Sequence, residues 1–453
     1  MLNMDIRFFY CIILLSCCLY SPNSQAISLS DLALLALDEP NYQSALADQQ
    51  AAQARYRQTR AALLPQLSAS ANSQANQRTY QARQSLFFNN NEEKERYNTH
   101  GWQVNFSQPL WRYQLWADRA QAKAQRLQSD FQLVSAEQNT LNKLLETWLD
   151  CLMARDQLHL IRVQVQVANE QHQVIARGIQ LGLRSAPDMA EALSKQAQAR
   201  SDLAAAEYDF ALKQATLAVL IGQSLSPRDF PQLKPVITFN SPNMSLETWL
   251  SLVMASNAEI QSAYYQQEAA REEVGKQLGG YLPQVDLVAN YSDSAQGAGS
   301  TPSQSGYDSV QHYVGIQANW SLWQSGGQYA KVQEAHARLA KAQAQLELAK
   351  RNSRFYTQQA WYNQQIALNK QHSGLQALVA AKARLHALQS GQTIGLKSTF
   401  DTLQAQEQLA SAERDYRKAV YQQLLAFIKL EALANQLTAH DIQQIDALFE
   451  SRE

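Results

Sequence analysis

The sequence predicts a mainly α-helical fold with a small membrane-type β part, built twice within one chain, and three observations predict it. The stretch Gly178 to Asp188, GIQLGLRSAPD, returns 213 residues later as GQTIGLKSTFD, Gly391 to Asp401. Arg112 to Arg177 holds 66 residues without Gly or Pro, rich in Ala, Gln, Leu and Arg, which is the composition of an uninterrupted helix. Ahead of each such run stand two short segments in which apolar and polar residues alternate.

The repetition extends beyond the hairpin. The same offset carries Trp148 to Trp361, Ala192 to Ala405, Tyr208 to Tyr421 and Leu212 to Leu425. Further upstream the offset becomes 218, setting EPNYQSA (Glu39 to Ala45) against NAEIQSA (Asn257 to Ala263) and LPQL (Leu64 to Leu67) against LPQV (Leu282 to Val285). Paired Gly, Pro, Asp and Trp positions in one order mark an internal duplication, with loops of unequal length absorbing the change of offset. The boundaries that follow are a signal peptide at 1–26, a first repeat at 27–222, a Pro-rich linker at 223–245, a second repeat at 246–437 and a short tail at 438–453.

The first residues, MLNMDIRFFYCIILLSCCLYSPNSQA, carry one Arg, an apolar run from Phe8 to Leu15 and a small-residue exit at Ser24-Gln25-Ala26, the layout of a secretory signal peptide. The mature chain is then expected to start at Ile27, with lipidation at Cys17 as the alternative. The run is too short to span a bilayer, and no later stretch is apolar for twenty residues.

Each rod is expected to be about 100 Å long at 1.5 Å per residue. The second runs from Gln328 to Ser390 with only Gly374 inside it. Each ends at the repeated hairpin, where glycine permits reversal, and a helix returns over Pro187 to Ile221 and Thr399 to Gln436.

Before the rods stand LPQLSASANS and GWQVNFSQPLW, then LPQVDLVANYS and YVGIQANWSLW. Val314, Ile316, Ala318, Trp320 and Leu322 fall on one face and Gly315, Gln317, Asn319 and Ser321 on the other. Period two over about ten residues suits a tilted membrane strand. Polar stretches at Gln74 to His100 and Asp293 to Gln311 are expected to be surface loops. Trp102, Trp111, Trp116, Trp320 and Trp323 gather at or near strand ends, as an interfacial girdle requires, although the core of a small sheet would also use them. Four strands cannot close a barrel, so a membrane sheet of this size demands oligomerisation.

Composition excludes several classes of function. A formal net charge of -1 over 453 residues, with no basic block, gives nucleic acid nothing to bind. Three of the four cysteines (11, 17 and 18) lie in the leader, which leaves Cys151 without a partner. The histidines show no i, i+4 pair and no HExxH, and no phosphate-binding Gly loop is present. Cys151 within WLDCLMA, and Trp148, Trp361 and Tyr362 on the rods, read as packing. No enzyme and no cofactor is expected.

At LLPQL before a strand, at QPLW after one, and above all at the two G-x-x-x-G-L-[RK]-S-x-x-D hairpins, the sequence resembles the TolC family of outer-membrane efflux proteins, and most closely its type I secretion branch. The resemblance covers essentially everything after Ala26. It implies a homotrimer in which four strands per protomer build a twelve-stranded outer-membrane β-barrel and the helices a twelve-helix periplasmic α-barrel. Inner and outer helical hairpins would close the tunnel, and an inner-membrane transporter with its periplasmic adaptor would open it.

Carried over residue by residue, Asp401 falls where the family lines its entrance aperture. A second aspartate three residues later is replaced here by Gln404, so tight multivalent-ion block is not expected to carry over. Lys397 stands where an arginine links the inner hairpin to its neighbour, and Asp188 matches the carboxylate it reaches. A lysine keeps the charge but not the bidentate fork. For both aspartates an ordinary first-turn acid, favoured by the helix dipole, is the alternative. Gly182, Leu183, Arg184, Ser185, Gly395, Leu396 and Ser398 match the tip that adaptors grip, and Trp102, Trp111, Trp320 and Trp323 the girdle against outer-membrane lipid. The expected function is a passive exit duct for type I protein or peptide secretion. A multidrug efflux outlet is the alternative within that class, and an exported structural coiled-coil stalk the alternative outside it.

Overall fold

The computed structural model describes residues 28–80, 93–226, 230–234, 244–299, 305–394 and 396–450. The signal peptide at 1–26, the Cys17 alternative and Gly395 lie outside the described residues.

Two copies of one element series follow each other. The first is α1 (Leu29–Ala36), α2 (Pro40–Ala61), β1 (Gln66–Tyr80), β2 (Glu93–Trp111), α3 (Tyr113–Gln180) and α4 (Ala186–Ile221). A two-residue strand, β3 (Gln232–Leu233), separates it from α5 (Leu246–Ser256), α6 (Ala258–Leu278), β4 (Gln284–Gln296), β5 (Tyr307–Asn319), α7 (Gly327–Thr393) and α8 (Thr399–Leu433). The chain closes with α9 (Ala439–Asp446) and β6 (Phe449–Glu450). The rods α3 and α7 run 68 and 67 residues, as the absence of Pro and the scarcity of Gly predict.

The chain divides into two compact units. One takes the described residues of Met1–Gln43, Val134–Asn257 and Ser353–Glu453, the other Ser44–Leu133 and Ala258–Asn352. The second unit carries an antiparallel sheet in the order β1-β2-β4-β5. Its register places Leu67 opposite Phe106, Phe106 opposite Ala289, and Ala289 opposite Val314. One residue along, Ser68 meets Asn105, Asn105 meets Asn290, and Asn290 meets Tyr313. Because side chains alternate across a pleat, the sheet has one face of Leu67, Val104, Phe106, Leu287, Val314 and Ile316, and one face dominated by Ser, Asn and Gln. On the polar face Asn290 Nδ2 donates to Asn105 Oδ1 at 2.7 Å.

The strands depart from the expected bounds in both directions. β1 continues to Tyr80, β2 begins at Glu93, β4 continues to Gln296 and β5 begins at Tyr307, so parts of both expected polar loops are strand. Backbone pairing carries the ladder past the apolar band into residues whose side chains give no alternating signal. At the other end β5 stops at Asn319, which puts Trp320 and Trp323 beyond the strand. Trp320 Nε1 instead donates to the Tyr281 carbonyl at 2.9 Å. At the root of the sheet Arg112 reaches Asp286 on β4 with both arms of its fork, Nε to Oδ1 at 2.6 Å and Nη2 to Oδ2. That bidentate pair ties the last residue before α3 to the neighbouring strand.

The core of the first unit is built from Leu144, Leu145, Leu149 and Leu152 on α3, Leu217 on α4, and Tyr421, Leu424 and Ile428 on α8, all below 2% exposed. Each such aliphatic side chain contributes about 1.5–3 kcal/mol on burial. Trp148 is buried among them, as is Cys151, whose thiol burial pushes up to about 12, so it packs as an unreactive apolar group. Tyr362 is exposed in the protomer, contrary to its reading as a packing residue.

Segments read as linker and tail also carry structure. β3 pairs with β6, Ile442 and Ile445 of α9 are buried, and the Phe449 ring meets Trp148 edge-on at 4.7 Å between centroids. The return helix α8 ends three residues earlier than expected, with Asn435 in the left-handed region at φ 58°. Asp156, 5% exposed, is compensated by Tyr421 Oη at 3.0 Å, Arg155 at 3.3 Å and Arg417 at 3.5 Å.

Candidate functional site

The two repeated hairpins fold by one local logic. At the end of α3, Gly182 adopts φ 69°, a conformation only glycine reaches freely, while its N–H donates to the Ile179 carbonyl (2.9 Å) and that of Leu183 to the Gly178 carbonyl (2.7 Å). This is a Schellman closure, which satisfies the orphan carbonyls of the helix end. At the end of α7 the Leu396 N–H makes the matching bond to Gly391, 2.9 Å. The first glycine of each motif has a steric role. A Cβ on Gly178 would lie 2.7 Å from Arg184 Cγ, and one on Gly391 2.8 Å from Lys397 Cγ, so each basic stem folds over its glycine.

The aspartates complete the return helices. Ser185 N and Oγ both donate to Asp188 Oδ2 at 2.9 Å. Ser398 N and Oγ donate to Asp401 Oδ2 at 3.2 and 2.8 Å, and Asp401 N donates back to Ser398 Oγ at 3.2 Å. Both are capping boxes, with aspartate at the third helical position. The bonds from Ser185, backbone first, hold the Asp188 carboxyl below the usual carboxylate range. For Asp401 the Ser398 hydroxyl and then its N–H do the same, helped by the charges of Lys397 and Arg384. Both acids are therefore anionic at neutral pH. Within one protomer each carboxylate binds its own serine, and the ion pairs among the described residues do not join Lys397 to Asp188. Gln404, one turn beyond Asp401, is exposed, as are Leu183 and Leu396, each at 75%.

The second hairpin is braced where the first is not. Gln392 Nε2 donates to Thr399 Oγ1 at 3.2 Å, and Thr402 Oγ1 donates to Gln392 Oε1 at 2.9 Å. The matching positions of the first copy are Ile179, Ala186 and Met189. Sequence reasoning missed this brace, although three apolar-to-polar exchanges between matched positions were its signal. The copies differ in burial too, for Tyr421 is fully buried while its counterpart Tyr208 is 77% exposed.

In the second unit, Trp102, Trp111, Trp116, Trp320 and Trp323 are all exposed. Trp102 lies 5.2 Å from Tyr291 between ring centroids, on the apolar face of the sheet. Among the described residues no helix is long and apolar enough to cross a membrane, and no cluster of His, Cys, Asp and Glu could hold a metal ion.

A family model described as outer membrane efflux protein matches residues 32–223 and again 249–436, one match for each copy of the element series. The chain belongs to the outer membrane efflux protein family. It is 28% identical over 437 residues to the alkaline protease secretion protein AprF of Pseudomonas aeruginosa, covering 94% of this chain and 88% of AprF. It is 25% identical over 374 residues to the proteases secretion protein PrtF of Dickeya chrysanthemi, covering 80% and 78%. Among solved structures, the outer membrane protein VceC of Vibrio cholerae superposes with a TM-score of 0.68 at 20% identity, covering 90% of this chain and 96% of that one. The efflux protein resides in the outer membrane and acts there as an export channel, and the family expected from the hairpin motif is the family found.

Proposed function

We propose that this chain is the outer-membrane exit duct of a tripartite export system, opened by an inner-membrane transporter and its periplasmic adaptor, and that it serves type I protein secretion. The sheet carries the reading. It has an apolar face for lipid, a polar face for a water-filled lumen, and two edge strands, β1 and β5, whose outer edges have no partner among the described residues and call for neighbouring copies. A homotrimer supplies them. Similarity to AprF and PrtF, both secretion proteins by name, favours a protein cargo over a drug.

In this reading Trp102, Trp111, Trp320 and Trp323 form the interfacial girdle, and the exposed Leu183 and Leu396, with Gly182, Arg184, Ser185, Gly395 and Ser398, form the surface an adaptor grips. Asp401 and Gln404 line the aperture. Lys397 reaches Asp188 across a hairpin boundary. Deleting the gene from its own bacterium should abolish export of the secreted protein into the medium and leave drug susceptibility unchanged. The opposite pattern, intact secretion with raised susceptibility, overturns the cargo assignment.

A further inference from the structure

Where the sheet passes into helices, its two faces continue differently. Trp111 stands across the ladder from Val285 and so shares the apolar face, where it is half exposed. The polar face runs on into α3 through Gln114, whose Oε1 accepts from Gln284 Nε2 at 3.1 Å. One turn further, Asp118 binds Lys276 at 2.6 Å and Arg55 at 3.5 Å. At about 3.6 residues per turn, Trp116, Arg119 and Lys123 lie roughly 140–200° round the helix from Gln114, on the side that continues the apolar face. Trp116 is half exposed and Lys123 exposed. Aromatic rings there give way to cations.

Helix α2 lies against the same stretch of α3, with Gln49 Nε2 donating to Asp130 at 2.9 Å and the Arg126 guanidinium 5.5 Å from the centre of the Tyr56 ring. It adds Arg60 and, three residues earlier and on the same side, Arg57, both exposed. Arg119 hydrogen-bonds the Tyr56 hydroxyl, and that bond, with the charges of Arg119, Arg60 and Arg126, holds the phenol below its usual range. The ring thus registers a positive field at this spot. None of Arg57, Arg60, Arg119 and Lys123 is in an ion pair among the described residues. Nearby acids are engaged elsewhere, Asp118 as above, Asp286 by Arg112 and Asp130 by Arg126 at 3.9 Å. On α6, Glu268 and Glu273 pair with Arg271 and Lys276, each at 3.9 Å, which leaves Glu272 against four cations.

Tryptophan rings at a membrane boundary sit level with the headgroups. Arg119 and Lys123 follow Trp116 by about 5 and 10 Å at 1.5 Å per residue. The polar zone of one leaflet is about 5–7 Å deep, so cations at that depth meet lipid phosphates. We propose that this face gathers phospholipids of net negative charge from the periplasmic leaflet of the outer membrane. The guanidinium forks of Arg57, Arg60 and Arg119 match phosphodiester oxygens, and Lys123 adds a point charge. A zwitterionic headgroup brings its own ammonium, which the same four cations repel, so net charge decides which lipid stays. The inference rests on the apolar face of the sheet lying in lipid, as the exit-duct reading requires.

The test reconstitutes the full-length oligomer in phosphatidylethanolamine vesicles holding a minor share of phosphatidylglycerol, confirms insertion by flotation, and analyses the lipid that stays bound after detergent extraction and gel filtration. Wild type should hold phosphatidylglycerol enriched at least about fivefold over the vesicle mixture, the factor that one cation near an anionic surface supplies. Arg57→Glu/Arg60→Glu/Lys123→Glu should return the ratio to that of the mixture. Should that variant fail to float, Arg57→Gln/Arg60→Gln, which only removes charge, takes its place with the same expected loss. Arg57→Lys/Arg60→Lys, which keeps the charge, and Lys370→Glu/Lys382→Glu, on α7 in the other unit, should both behave as wild type. Wild type without enrichment, equal enrichment in the charge-reversed variant, or its loss in the lysine variant overturns the proposal. So does enrichment stripped by inorganic phosphate but not by chloride of equal ionic strength, since the ligand would then be free phosphate. Wild type that fails to float overturns the lipid-facing reading and this inference with it.

Discussion

Glu431 lies on α8 with only 8% of its surface exposed, and burial, aided by the negative charge of Asp441, pushes its pKa up to about 7 from an ordinary 4.5. The folded state therefore holds a proton that the unfolded chain releases between those two values. Stability contributed at this residue is full below about pH 4.5, falls as pH rises toward 7, and is flat above it. Glu431→Gln should remove that fall, leaving the variant more stable than wild type at pH 8 by on the order of 1–3 kcal/mol and nearly equal to it at pH 5. Thermal unfolding followed by helical circular dichroism at the two pH values reads the difference, and a wild type with equal stability at both would remove the argument. Nothing in the sequence marks Glu431, because the charge of Asp441 that acts on it comes from α9, which was read as tail. Asp188 and Asp401 were legible as first-turn acids, since Pro187 or Thr399 beside a preceding Ser is a local signal. Their bonds to Ser185 and Ser398 confirm that local role.

At the scale of elements, rods and hairpins were the most legible parts, because missing Gly and Pro and a Schellman glycine act through neighbours in sequence. Strand ends were less so. β1 and β2 extend beyond the alternating pattern through backbone hydrogen bonds to partners more than ten residues away, and β5 stops short of two of its tryptophans. The hairpins then pose a question of division of labour, since the α7–α8 turn carries the Gln392 brace and the α3–α4 turn does not. A braced hairpin is the better support for a fixed ring of charge, which agrees with Asp401 as the aperture residue. Asp401→Asn is a clean test because an amide oxygen can still accept from Ser398 N–H while the charge is lost. In planar bilayers that variant should show weakened cation selectivity and a weakening of whatever divalent-ion block the Asp401 ring alone supports, as removing a carboxylate ring requires. Lys397→Ala with Asp188→Ala should instead raise closed-state conductance, modestly, since solvent screens an exposed ion pair. If Asp188→Asn abolishes selectivity and Asp401→Asn leaves it intact, the two hairpins have exchanged roles.

For the whole molecule the deciding constraint is the pair of strand edges left unpaired among the described residues. β1 and β5 flank a sheet whose one face is apolar, and nearly every residue of β5 is exposed. In hydrocarbon each unsatisfied backbone group costs several kcal/mol, so the protomer cannot sit in the membrane alone. Joining β5 of one copy to β1 of the next is a head-to-tail contact, which closes into a ring when the rotation permits. The polar face argues against two copies. Two copies give eight strands, and an eight-stranded barrel is just wide enough to be filled by its own side chains. Ser, Asn and Gln packed there would leave no path for cargo. Three copies give twelve strands and a lumen those same side chains can line with water, in keeping with the implied homotrimer. Mass measured on the detergent-solubilised particle should therefore correspond to three chains, and amide-region spectra should show β-structure that survives in detergent and is lost when the particle dissociates. A two-chain particle would leave the duct without a lumen, and a one-chain particle with persistent β-structure would show that the edges are closed within the protomer.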